Sequence, residues 1–100
     1  VNVLITAASS AEAYQLKSKL NAWSILLGDY LELPEIMVKS GKMIRLPDPK
    51  SVSYLHEMLA LCLDKNIDTL YVLREEETVL LKESEQLFTE YGINIVYQNL

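Results

Sequence analysis

Val1-Asn2-Val3-Leu4-Ile5-Thr6-Ala7-Ala8-Ser9-Ser10 opens the chain. Val3, Leu4 and Ile5 form a short apolar run rich in β-branched residues, as expected of a buried parallel strand. Thr6 to Ser10 are five small side chains in succession. A strand that runs straight into such a stretch and then into a helix-forming segment is the entry to a doubly wound α/β fold, in which the loop lies over a ligand cleft.

Outward from this stretch, strands and helices alternate. Ser10 to Leu20 reads as a helix with Ala13, Leu16 and Leu20 on its core side, Ser9 or Ser10 as N-cap and Asn21 closing its far end. Trp23 to Leu27 is a second strand that ends in Gly28-Asp29. Tyr30 to Gly41 is a crossover loop with a short helical piece, because Pro34 prevents a regular helix through it. Met43 to Leu46 is a third strand, stopped by Pro47. Asp48-Pro49 then predicts an N-cap followed by Pro at the first helical position, with Val52, Leu55, Leu59, Cys62 and Leu63 as the buried stripe of a helix ending near Lys65-Asn66. Thr69 to Leu73 is a fourth strand. A helix from Glu76 to Tyr91 carries Leu80, Leu87, Phe88 and Tyr91 inward and stops at Gly92, and Ile93 to Tyr97 is the fifth strand.

This order predicts one α/β domain over residues 1–100: a three-layer, open parallel sheet of about five strands with helices on both faces, Rossmann-like. Right-handed crossovers favour the strand order 3-2-1-4-5. A ligand site then falls at the carboxyl ends of strands one and four, where the winding direction reverses.

Composition narrows the function classes. With 100 residues the chain can hide roughly 65% of its unfolded surface and needs no staple. Half of the residues are hydrophobic and 23% are charged, an ordinary globular balance. A net charge of −5 leaves no basic stripe for nucleic acid. The apolar runs are too short to span a bilayer, and no secretory signal is read in the first strand. The single cysteine, Cys62, reads as a reduced core residue, and the expected compartment is the cytoplasm.

Five residues converge on the expected cleft: Ser9, Ser10, Asp29, Arg74 and Glu77. Ser9 and Ser10 can hold a phosphate or carboxylate at a helix N-terminus, or simply cap that helix. Asp29 lies about twenty positions beyond the small-residue loop, where a dinucleotide fold puts its ribose-binding carboxylate; it also fits a solvated turn. The run Glu75-Glu76-Glu77 can coordinate Mg²⁺ or answer the helix dipole, with Arg74 as its local counter-charge. His56 has no second His or Cys at ligand spacing and reads as a surface residue. Val79, Leu80 and Leu81 cannot all be buried by one helix face, so one of them meets solvent, a neighbouring loop or a partner.

With its elements placed, the chain resembles the N-terminal pre-ATP-grasp domain that precedes the ATP-binding part of ATP-grasp ligases such as the carbamoyl phosphate synthetase large subunit and biotin carboxylase. The resemblance spans essentially all 100 residues. It is carried by Val3-Leu4-Ile5-Thr6-Ala7-Ala8-Ser9-Ser10, Gly28-Asp29, Ile67-Asp68, the acidic run Glu75 to Glu77, and Tyr91-Gly92-Ile93. The family's first loop usually holds glycine; here Ala7, Ala8, Ser9 and Ser10 put side chains where a backbone approaches a pyrophosphate. The resemblance implies a noncatalytic N-terminal domain that packs on an ATP-grasp domain of the same parent protein, or on a homo-oligomer partner, and lines the acceptor-substrate cleft. It implies no cofactor in this chain, with ATP and Mg²⁺ belonging to the parent's other domains. The alternative is a stand-alone Rossmann-like module binding a nucleotide or small acid. An independent enzyme built on Asp29 and the glutamates lacks a nucleophile, a metal set and a phosphate-binding lysine motif.

Overall fold

In the computed structural model, which describes residues 2–20 and 24–97, the chain runs β1 (Asn2–Ile5), α1 (Ala11–Lys19), β2 (Ser24–Asp29), α2 (Glu35–Lys39), β3 (Met43–Arg45), α3 (Tyr54–Asp64), β4 (Thr69–Val72), α4 (Glu75–Glu83), α5 (Glu85–Glu90) and β5 (Asn94–Tyr97). The strands form one open sheet in the order β3-β2-β1-β4-β5. Every neighbouring pair is parallel. Leu4 of β1 lies opposite Leu26 of β2 and Leu70 of β4.

The period-two alternation of strand side chains divides the core into two layers. Val3, Ile5, Leu27 and Met43 point to the face covered by α1 and α2, where Ala13, Leu16, Met37 and Val38 meet them. Leu4, Leu70, Val72 and Ile95 point to the other face and pack under Met58 and Cys62 of α3, Leu81 of α4 and Phe88 of α5. Leu4 and Ile5 are fully buried, and burial of such a side chain contributes about 2 kcal/mol. The switch from one covering layer to the other occurs between β1 and β4, the pair that leaves a crevice at its carboxyl end.

Ser10 is the N-cap of α1: its Oγ accepts the Ala13 N–H at 3.2 Å. Asn21 and Trp23, expected to close α1 and to open β2, lie outside the described residues. At the end of α5, Gly92 takes φ +80°, a left-handed conformation that costs glycine little.

Two helices depart from expectation. Asp48 does not start α3. Its Oδ1 accepts the Lys50 N–H at 2.9 Å and its carbonyl accepts the Ser51 N–H at 2.9 Å, so it closes a separate turn and the helix begins only at Tyr54. The buried stripe is therefore Tyr54, Met58, Leu59 and Cys62, whereas Val52 and Leu63 face solvent. The single helix expected from Glu76 to Tyr91 is two helices, broken where Ser84 leaves helical geometry at φ −123° and ψ 20°. The break turns Leu81 and Phe88 fully into the core, while Tyr91 is exposed and Leu80 and Leu87 are only partly covered.

Candidate functional site

The carboxyl ends of β1, β2 and β4 meet at one edge of the sheet, and the loop after β1 crosses it. Ala7 turns that loop at φ +55°. The Ala8 N–H donates to the Gly28 carbonyl at 3.0 Å, which ties the loop to β2. On the other side, the Thr6 N–H donates to the Tyr71 carbonyl at 3.0 Å, and the Thr6 hydroxyl oxygen accepts the Leu73 N–H at 2.9 Å. The β1–β4 seam is thus continued past its last ladder bond by a side chain.

Over this seam lies a partly buried ion pair. Arg74, the N-cap residue of α4, spans the crevice and forks onto Asp29 at the end of β2, with Nε to Oδ1 at 3.2 Å and Nη2 to Oδ2 at 2.8 Å. Ser9 Oγ donates to Oδ2 at 3.1 Å and the Leu31 N–H to Oδ1 at 3.3 Å. Asp29 is fully buried. Burial pushes its carboxyl up, but the Arg74 fork, the Leu31 N–H and the Ser9 hydroxyl together hold it below the ordinary value of 3.8. The bond to Asp29 raises Arg74 in turn.

This clasp decides what Asp29 can do. A carboxylate offers about four lone-pair sites, and four donors already fill them. A ribose or a substrate amine can engage Asp29 only by displacing one of them. Arg74 is accordingly the counter-charge of Asp29 rather than of the glutamates that follow it.

Those glutamates diverge. Glu75 is exposed at the start of α4. Glu76 accepts the Tyr30 hydroxyl at 2.7 Å, which lowers the carboxyl and raises the phenol. The Tyr30 ring also carries the Arg74 guanidinium 5.3 Å from its centroid, a cation–π contact. Glu77 bonds to Tyr54 of α3 and takes no part in the hydrogen bonds of the clasp. It is fully buried, and its Oε2 accepts the Tyr54 hydroxyl at 2.7 Å. Burial pushes the Glu77 carboxyl up to about 7, against the opposing Tyr54 hydrogen bond.

The expected site residues therefore separate into three groups. Ser9, Asp29 and Arg74 come together, Ser10 is spent on the α1 cap, and Glu77 belongs to the helix layer. Sequence reasoning missed Thr6, Tyr30 and Tyr54. Tyr54 had a signal, since with Met58 and Cys62 it continues an i, i+4 spacing along α3.

Beside the clasp lies a groove of about 510 Å³ lined by Tyr30, the Asp48–Pro49–Lys50 turn, Glu76, Val79 and Leu80. Val79 is 56% exposed there, so of the three consecutive apolar residues it is the one left uncovered. His56 lies exposed on α3. Among the described residues no group of three or more His, Cys, Asp or Glu side chains is placed to hold a metal ion, and no helix is long and apolar enough to cross a membrane. No protein-family model matches the chain, and a search of curated proteins finds no match to it.

Proposed function

We propose that this chain is a noncatalytic Rossmann-like domain that serves as the pre-ATP-grasp part of an ATP-grasp-like ligase of the cytoplasm. In this reading it docks on an ATP-binding domain through the groove at its carboxyl edge and forms one wall of the acceptor-substrate cleft. ATP and Mg²⁺ belong to that other domain. The observation that carries the reading is a contrast at one edge. The crevice where a Rossmann-like fold would seat its own ligand is filled by the Asp29–Arg74 clasp, while Val79 stands exposed in an apolar groove next to it.

The test is to read the gene downstream of Leu100 and express the longer protein. An ATP-binding domain encoded there, together with loss of solvent access at Val79 and Leu80 in the longer protein, is the expected result. A stop codon directly after Leu100 overturns the reading, as does a longer protein in which Val79 stays as exposed as before.

The stand-alone binding module is favoured by a different observation, the groove's size, which suits a small molecule. Titration calorimetry of the 100-residue chain with ATP, NAD and amino acids tests it, and absence of heat with all of them removes it.

A further inference from the structure

The N-cap and first turn of α4 are tied down by three polar contacts to two segments, the end of β2 and the start of α3. Arg74 holds Asp29 at the end of β2, Glu76 holds Tyr30 just after it, and Glu77 holds Tyr54 in the first turn of α3. The first two contacts reach solvent at one partner at least. The third is buried throughout, since Glu77 and Tyr54 have almost no accessible surface. Glu77 Oε2 has the Tyr54 hydroxyl, but Oε1 is buried and has no hydrogen-bond partner among the described residues. A neutral carboxyl is tolerable there. An ionised one, buried with a single donor, is not.

We propose that Glu77 is a pH-sensitive latch: as a neutral acid it fastens the first turn of α4 to α3, and on ionisation it frees that turn and loosens the groove lined by Tyr30, Glu76, Val79 and Leu80. The cheapest relief for an ionised Glu77 is local. It is the third residue of α4, so unwinding one turn brings it to water without disturbing Leu81 or the sheet. The same movement pulls Glu76 from Tyr30 and shifts Val79, which lie on either side of it in sequence.

Burial drives Glu77 in this direction, and the titratable and charged groups around it oppose one another. Tyr54 from α3 stabilises the carboxylate by its hydrogen bond. Asp29 from β2 and Glu76 from α4 repel it, and Arg74 attracts it but is committed to Asp29. Tyr30 also faces the cluster and feels the Glu77 charge. In the latched form the proton is held up to about pH 7, whereas a turn open to water releases it near the ordinary 4.5. The opened population therefore rises by about tenfold per pH unit between these values and levels off above them. The latch depends on the groove's geometry and not on what covers the groove, so it stands or falls apart from the docking role.

Amide hydrogen exchange on the 100-residue chain between pH 5 and pH 8, corrected for intrinsic exchange rates, tests the latch. The amides of residues 76–80 are expected to open about tenfold more per pH unit up to neutrality and then plateau, and to exchange faster than those of β1 and β4 throughout. In Glu77→Gln, which keeps the shape and the Tyr54 partner, the slope at residues 76–80 is expected to vanish. Two results overturn the proposal: α4 amides that exchange at the rate of the β1 and β4 amides across the range, which makes the pH effect global, or a slope that survives in Glu77→Gln. Should Glu77→Gln fail to fold, the comparison of α4 with β1 and β4 in the unmodified chain decides alone.

Discussion

Arg74 grips both carboxylate oxygens of Asp29 across the loop that leaves β1, with its shorter arm 2.8 Å from Oδ2. Asp29 is fully buried, whereas Arg74 keeps about a fifth of its side chain in solvent. The pair is therefore asymmetric. Removing the arginine strands a buried charge, while removing the aspartate leaves a cation that can turn to water.

Arg74→Ala is accordingly expected to destabilise the domain by about 3 kcal/mol. Asp29→Asn, which removes the buried charge, should cost less, and adding Arg74→Ala to it should cost little more. Urea midpoints of the two single variants and the double variant check this; equal and additive losses would contradict it.

The two buried carboxyls at this edge pull stability in opposite directions with pH. Asp29 is held low when folded, so its contribution is present above 3.8 and is lost as pH falls through its folded value. Glu77 is raised when folded, so its contribution is complete below 4.5 and is lost as pH rises through about 7. That second window is worth about 3 kcal/mol. Stability should fall from pH 5 to pH 7 in the unmodified chain, and Glu77→Gln should flatten that decline in denaturant titrations made at each pH.

Gly28→Ala is expected to destabilise by about 1–3 kcal/mol. A Cβ there meets Leu46 Cδ2 at 2.8 Å, Leu46 Cγ at 2.9 Å and the Ile44 carbonyl oxygen at 3.2 Å. The leucine is buried and the carbonyl belongs to β3, so neither can withdraw freely. Thermal denaturation of the variant measures the cost; an unchanged midpoint would mean that β3 yields at no expense.

Cys62 is fully buried, and burial pushes its thiol up to about 12. It should not react with a disulfide reagent in the folded chain at pH 8 and should react fully once urea unfolds it. Prompt modification of the native chain would place the thiol at a surface.

Val79→Ser is expected to leave the stability of this domain within about 0.5 kcal/mol, because the valine is mostly in solvent. Ser10→Ala should cost about 1 kcal/mol through the lost α1 cap. A urea series on both variants separates a residue that serves the fold from one that does not.

The sheet was legible in the sequence because strands buried on both faces read as nearly continuous apolar runs. Val3 to Ile5 and Thr69 to Leu73 needed no partner to be recognised. The meeting of Ser9, Asp29 and Arg74 was legible for a topological reason, since parallel strands deliver their carboxyl ends to one edge. Helical phase was not legible. Three identical glutamates open α4, and which of them turns inward depends on where the helix starts. With the start at Glu75, residues Glu77, Thr78 and Leu81 share the buried face, and Leu80 is displaced from it. The start of α3 was hidden similarly, because the Asp48 side chain that can cap a helix can equally close a turn.

The Thr6 bond to Leu73 bears on how this sheet comes apart. At the β1–β4 seam, side chains add fastenings beyond the backbone ladder: Thr6 to Leu73, and Arg74 reaching past β1 to Asp29. The β2–β3 pair, like β1–β4, has three residues in register, but β3 sits at the margin with a neighbour on one side alone. Fraying should start there, with β3 peeling off while β2, β1 and β4 remain a stitched trio, so the domain is firmest where folds of this kind usually part to admit a ligand.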